Sequence, residues 1–160
     1  MKRFMIMAAV LFLTAMARNG IIAVEALHPV IVISEVMASN DSVATYPEAG
    51  YTDWVEIFNS GDAAVDLSGW GLSDNPEKPL KWQFPDGTTI RSGEYRVILC
   101  DKDPEKSRDA ELHASFTIGR KSGEVITLAD AEGEVHDRIT LPEMKTDVSF
   151  GRNPEDGGLY

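Results

Sequence analysis

Cysteine is almost missing from this chain. The 160 residues contain one, Cys100, so no intramolecular disulfide can form and a hydrophobic core must hold the fold. Cys100 closes the apolar run YRVILC (95–100) and reads as a small buried hydrophobe rather than a reactive thiol. Histidine is scarce too. His28, His113 and His136 stand far apart, and with no second cysteine they offer no transition-metal set. Positive charge is in short supply, with 15 Lys and Arg against 26 Asp and Glu, a net −11. Such a body repels phosphate backbones and anionic lipid, which argues against nucleic-acid partners. A basic partner or divalent cations would be tolerated better. The chain also lacks a long helical period, an internal repeat and a low-complexity tract. Its unbroken apolar run, Phe4 to Ala17, is short of the roughly 20 residues a membrane span needs.

What is present begins with an export signal. Lys2 and Arg3 form a basic start, Phe4 to Leu13 an apolar stretch, and Ala15-Met16-Ala17 a small-x-small cleavage pattern. Residues 1–26 are therefore expected to be a signal peptide, cut after Ala17 or Ala26. The competing reading is an uncleaved anchor, since Ile21 to Val24 extends the apolar character. Either cut leaves a body of net −13. An exported chain without disulfides fits a secreted or envelope protein of a bacterium. The domain is expected over 27–155, with 156–160 starting a tail or a linker to further chain.

Prolines and glycines, 8 and 13 of them, fall between short apolar runs. That punctuation predicts strands and turns. Strands are expected at 30–38, 53–59, 65–67, 70–73, 80–84, 89–90, 94–100, 113–118, 124–130, 134–141 and 147–151. The shortest are marginal, so the total is about nine. The segments 40–52 and 101–112 read as polar loops, the second with room for one helical turn. Many short strands with turns every few residues predict an all-β, immunoglobulin-like antiparallel β-sandwich. Its core would take Ile33, Val55, Ile57, Leu67, Trp70, Leu72, Trp82, Phe84, Val97, Leu99, Phe116, Ile126, Leu128, Ile139 and Phe150. In the stretch DWVEIFNSGDAAVDLSGWGLSD (53–74), glycines would let the backbone turn. Asp62 and Asp74 are expected to accept hydrogen bonds from turn amides.

Several clusters look chemical. Asp53 with Glu56, or Asp101 with Asp103, would suit glycoside hydrolysis only if two carboxyls faced each other across a cleft. Their spacing does not mark such a pair. The oxygen-rich segments 101–105 and 130–134 do not match the twelve-residue calcium loop, and the second reads as a hairpin turn capped by Asp130. Ser68 lies in Leu-Ser-Gly-Trp, not in a nucleophile elbow. GRKSG (119–123) lacks the Gly-Lys-Ser/Thr order of a phosphate loop and reads as a connection between strands. Trp54, Trp70 and Trp82 are expected to be buried rather than to form a sugar platform. No catalytic residue, metal ligand or cofactor is assigned. The candidate contact residues are Tyr46 and Tyr51, in the loop 40–52.

Together the segments ISEVMASN (33–40), DWVEIFNSG (53–61), VDLSGWGLSD (65–74), KWQFPDGTTI (81–90), GEYRVIL (93–99), ASFTIGRKSGEVITLAD (114–130) and DVSFGR (147–152) resemble the lamin-tail domain in its bacterial secreted form. The resemblance covers about residues 30–155. It implies an immunoglobulin-like sandwich without catalytic machinery, serving binding or attachment. In bacteria such domains stand in exported proteins, often beside hydrolase or nuclease-like domains. In nuclear lamins the related domain recruits protein partners and chromatin, and the acidic body here speaks against the second. The expected function is a non-enzymatic module that binds a protein or a cell-envelope component through loops 40–52 and 101–112, with no membrane span after signal cleavage. The alternative is an accessory domain of a secreted hydrolase or nuclease-type protein, with carbohydrate affinity. A weaker third reading is self-association through an exposed sheet edge.

Overall fold

The computed structural model describes residues 30–108, 110–153 and 158–160. The expected signal peptide with its cleavage points, His28 and the start of the tail at 156–157 lie outside the described residues. Thirteen strands follow one another: β1 (Ile31–Met37), β2 (Thr45–Tyr46), β3 (Gly50–Tyr51), β4 (Asp53–Asn59), β5 (Val65–Asp66), β6 (Gly71–Ser73), β7 (Trp82–Gln83), β8 (Thr89–Ile90), β9 (Tyr95–Cys100), β10 (Leu112–His113), β11 (Val125–Ala129), β12 (Val135–Thr140) and β13 (Phe150–Gly151). A single 3₁₀ turn, Pro104–Lys106, occupies the charged loop before β10.

Two sheets face each other as a sandwich. One has five strands in the order β10-β9-β4-β1-β13, the other four in the order β12-β11-β6-β7. The pairs β2-β3 and β5-β8 form two separate small ribbons. The count exceeds nine because the loop 40–52 closes into the β2-β3 hairpin and because several strands are two residues long. Two residues are too few for period-2 alternation to register in a sequence.

The inner faces of the sheets bury one cluster, including Ile33, Val55, Ile57, Leu72, Phe84, Ile98, Ile126, Leu128 and Ile139. Val55 pairs with Ile98 across β4 and β9, and cross-strand partners share a face. Val97 and Leu99 therefore lie on the other face of the sheet. Val97 is only partly buried there, which corrects its expected place in the core, whereas Leu99 is buried as expected, away from the main cluster. Ile98 and Cys100 join the main cluster instead, both fully buried. The run YRVILC is apolar at both parities, so its sequence carried no sign of which face turned inward. Leu99 joins Met37 and Trp54 in a second, smaller cluster under the β2-β3 hairpin, with Tyr46, Ala49 and Val97 against it. Trp82 lies in the main core, while Trp70 and Phe150 are partly buried against it.

The expected strand 113–118 is also corrected. Only Leu112 and His113 pair, and they run parallel to Ile98 and Leu99 of β9, a parallel contact in an otherwise antiparallel assembly. Ala114, Phe116 and Ile118 are buried in alternation, as in a strand. The Ala114 N–H still donates to the Leu99 carbonyl at 2.6 Å, but further along the Ile118 N–H donates to a side chain, Asp53 Oδ2, at 3.0 Å.

In the stretch 53–74, Asn59 organises the first turn. Its Oδ1 accepts from the Gly61 N–H at 2.9 Å, and its Nδ2 donates to the carbonyls of Ala63 at 2.9 Å and Ile90 at 3.1 Å. The expected capping roles of Asp62 and Asp74 fall to Asn59 and Asp66. Asp66 Oδ1 accepts from the Ser68 N–H at 2.9 Å, whereas Asp74 is ion-paired with Lys81 at 2.5 Å. Both true caps sit two residues before the amide they bind, the ordinary reach of an Asx turn.

Candidate binding surfaces

The polar clusters singled out in the sequence serve as braces. Asp53 Oδ1 accepts from the Ser39 N–H at 2.7 Å and its Oδ2 from Ile118. Glu56 faces the opposite side of β4 and accepts from the Ser34 hydroxyl at 2.7 Å. The two carboxylates thus engage different partners on opposite faces and do not confront each other. Asp101 Oδ1 accepts from the Asp103 N–H at 3.0 Å, and Asp103 pairs with Lys106 at 3.0 Å. Ser68 donates to Asp66 at 2.5 Å and accepts from the Gly87 N–H at 2.8 Å, tying two turns together. Asp130 caps its hairpin by accepting from the N–H groups of Glu132 and Glu134, and Gly133 takes φ +85°. Among the described residues, no group of three or more His, Cys, Asp or Glu side chains is placed to hold a metal ion.

The two tyrosine candidates line different depressions. Tyr51, about half exposed, borders an open cleft of about 520 Å³ with Ser39, Asn40, Asp41, Thr52, Asp53, Thr117, Ile118, Arg120 and Thr146. Its walls are hydroxyls, an amide, carboxylates and one guanidinium. The loop that forms it is fixed by three side chains. Asn40 Oδ1 accepts from the N–H groups of Val43 and Ala44, both at 3.1 Å, while its Nδ2 donates to the Thr52 carbonyl at 3.1 Å. Asp147 accepts from the N–H groups of Asp41 at 2.7 Å and Ser42 at 3.0 Å, and from the Ser42 hydroxyl at 2.5 Å. These bonds, the Ser42 hydroxyl foremost, hold the Asp147 carboxyl below the usual carboxylate range. Asp53 is the third brace. Arg120 stands at the rim, donating to Thr146 Oγ1 at 3.3 Å.

Tyr46 borders a narrower groove of about 240 Å³ with Glu94, Tyr95, Arg96, Val97, Leu99, Ala110 and Glu111. Behind it lies an array that the sequence did not announce. His113 is fully buried, with Nδ1 2.9 Å from Asp101 Oδ2 and Nε2 3.2 Å from Glu111 Oε1. The three residues are spread over 101–113, and their convergence depends on the parallel pairing of β10 with β9. Burial raises the Tyr46 hydroxyl above its ordinary range, with Glu56, Glu111 and Glu35 adding to the shift. Glu94 and Glu111 gave no signal in a chain this rich in carboxylates.

No helix of the described residues is long and apolar enough to cross a membrane. Among known proteins, the family model described as Lamin Tail Domain matches residues 26–143. No curated protein matches the chain.

Proposed function

Because the chain belongs to the Lamin Tail Domain family, we propose that it is a non-catalytic, exported module that binds a protein or another cell-envelope component. One observation carries this reading. The cleft beside Tyr51 is open, polar and held in shape by side chains that are already committed to backbone amides. Asp53, Asn40 and Asp147 shape the cleft without presenting a nucleophile paired with a base. A rigid loop surface at one end of a sandwich, with an exposed aromatic ring, suits recognition.

The test is retention of envelope proteins on immobilised protein, followed by affinity measurement for the retained partner. Replacing Tyr51 with Ala is expected to weaken that partner about tenfold, the ordinary cost of an aromatic contact at an interface. Equal retention by wild type and variant, or none by either, removes this reading.

The alternative, an accessory domain of a secreted hydrolase or nuclease-type protein with carbohydrate affinity, draws on the same cleft. Hydroxyl and amide groups around one aromatic ring are what a polyhydroxylated ligand needs. A glycan array separates the two: a sugar retained through Tyr51, with no protein partner, favours the alternative.

A further inference from the structure

The five-stranded sheet treats its two lateral edges differently. On the β1 side the edge is closed. Glu35 and Val36 pair with β13, and Gly151 of β13 exchanges backbone hydrogen bonds of 3.0 Å with Tyr160. Among the described residues no strand pairs with Ile33 on that side, yet its N–H donates to Asp137 Oδ2 at 2.7 Å and its carbonyl accepts from Arg152 Nε at 3.0 Å. Side chains there do the work of a neighbouring strand.

On the β9 side the edge is half open. β10 pairs with Ile98 and Leu99 only. The chain just before β10 turns away, because Arg108 and Glu111 exchange backbone bonds of 2.9 and 3.1 Å with each other. On the side away from β4, no strand among the described residues pairs with Tyr95, Arg96 or Val97. This open segment is one wall of the 240 Å³ groove. An unpaired strand edge is a template for an added strand.

The groove also has a sign. Glu111 is held in place, since its Oε1 accepts from the Glu48 N–H at 3.3 Å and faces His113 Nε2. His113 is itself anchored on Asp101 and by the hydroxyl of Ser107, which accepts from its N–H at 2.9 Å. Glu35 and Glu56 lie side by side on neighbouring strands, in the row that continues to Val97. Within the groove the counter-charge is Arg96, 3.9 Å from Glu94. Beside it, Val97, Leu99 and the Tyr46 ring supply apolar surface.

We propose that the open edge of β9 takes an extended peptide segment of a protein partner, added alongside Tyr95–Val97 in line with β10. It presents a Lys or Arg side chain to Glu111 and an apolar side chain to Val97 and Tyr46. The proposal shares the class of partner with the function proposed above but uses another face, so the two stand or fall separately. A second copy of this chain fits less well, because it would bring one net −11 body against another.

A random nonapeptide library presented to the purified protein tests this, with amide hydrogen exchange as the readout. Enriched peptides are expected to carry one basic residue within a β-branched or apolar stretch. They should slow exchange at Tyr95 or Val97, bind about tenfold more weakly to Glu111→Lys and be indifferent to Tyr51→Ala. A second variant, Val97→Lys, blunts the edge and should also abolish binding; unchanged urea unfolding of both variants shows that they fold. Enrichment of acidic peptides, protection around Tyr51 in place of β9, or no enrichment overturns the proposal. So does a dimer in sedimentation that Val97→Lys dissolves, which would assign the edge to self-association. Loss of peptide binding together with retention of an envelope protein through Tyr51 would leave the proposed function standing and remove this inference alone.

Discussion

Arg152 Nη2 lies 2.7 Å from Asp137 Oδ1, and between them the two side chains satisfy both backbone groups of Ile33. Arg152 comes from the chain after β13 and Asp137 from β12, so the pair joins the edge of one sheet to the other. Asp137 is 7 % exposed and Arg152 24 %. Burial raises the Asp137 carboxyl above its ordinary range, even against the lowering effects of the Ile33 N–H and Arg152. Taking Arg152 away would strand that carboxylate. Arg152→Met is expected to cost on the order of 2–3 kcal/mol. Asp137→Asn keeps an acceptor for Ile33 and should cost less, about 1 kcal/mol. Urea unfolding at neutral pH measures both, and equal losses would contradict the asymmetry.

Asn59 is fully buried and serves three backbone groups at once. Asn59→Ala would orphan the Gly61 N–H and the carbonyls of Ala63 and Ile90. A loss of about 2–4 kcal/mol is expected, from unmet buried polar groups. Asp62→Ala, in the same turn, should change stability by less than about 0.5 kcal/mol. Thermal unfolding of the two variants side by side decides it.

Gly71 and Gly87 are needed for different reasons. A Cβ on Gly71 would run into the Pro79 carbonyl and lie 2.9 Å from Leu80 Cα, so backbone would have to move. A Cβ on Gly87 meets nothing within 4 Å, but its φ is +82°. Gly71→Ala is expected to cost about 2–3 kcal/mol through overpacking. Gly87→Ala should cost nearer 1 kcal/mol through backbone strain. A reversed order in denaturant titration would refute this account.

Glu56 gives the stability a pH dependence of unusual sign for an acid. Burial foremost, and then Glu35 on the neighbouring strand, raise its carboxyl above the ordinary value of 4.5, although the Ser34 hydroxyl pulls it down. In the window between 4.5 and the raised value the folded state holds the proton more tightly than the unfolded chain does. Stability from this group therefore falls as pH rises through that window. Glu56→Gln cannot ionise, so its unfolding free energy should decline less between pH 4 and pH 7 than that of the wild type. Parallel curves for the two proteins would exclude the effect.

Much of the fold was legible one segment at a time. The bounds of β4 follow from its alternation and those of β8 from the turns on either side, and the turns at 60–62, 85–88 and 130–133 from their Pro, Gly, Ser and Asp content. The inward positions Val55, Ile57, Ile126 and Leu128 followed from alternation. The stretch 114–118 shows the limit of that signal. Its alternation reports burial correctly, but alternation does not say whether a strand lies alongside. Tyr46 and Tyr51 show another limit. They belong to one hairpin, yet one borders the groove and the other the cleft.

The sequence by itself determined the sandwich, the places of its main turns and the family, because these rest on period, composition and short motifs carried within each segment. Tertiary structure alone decided which face of YRVILC turns inward, where the carboxylates of Asp53, Glu111 and Asp137 are committed, and which sheet edge stays open. Those outcomes depend on partners brought in from elsewhere in the chain, as far as 104 residues away for Asp137 and Ile33. A local pattern fixes a segment's own periodicity but carries no record of the neighbour against which it will pack.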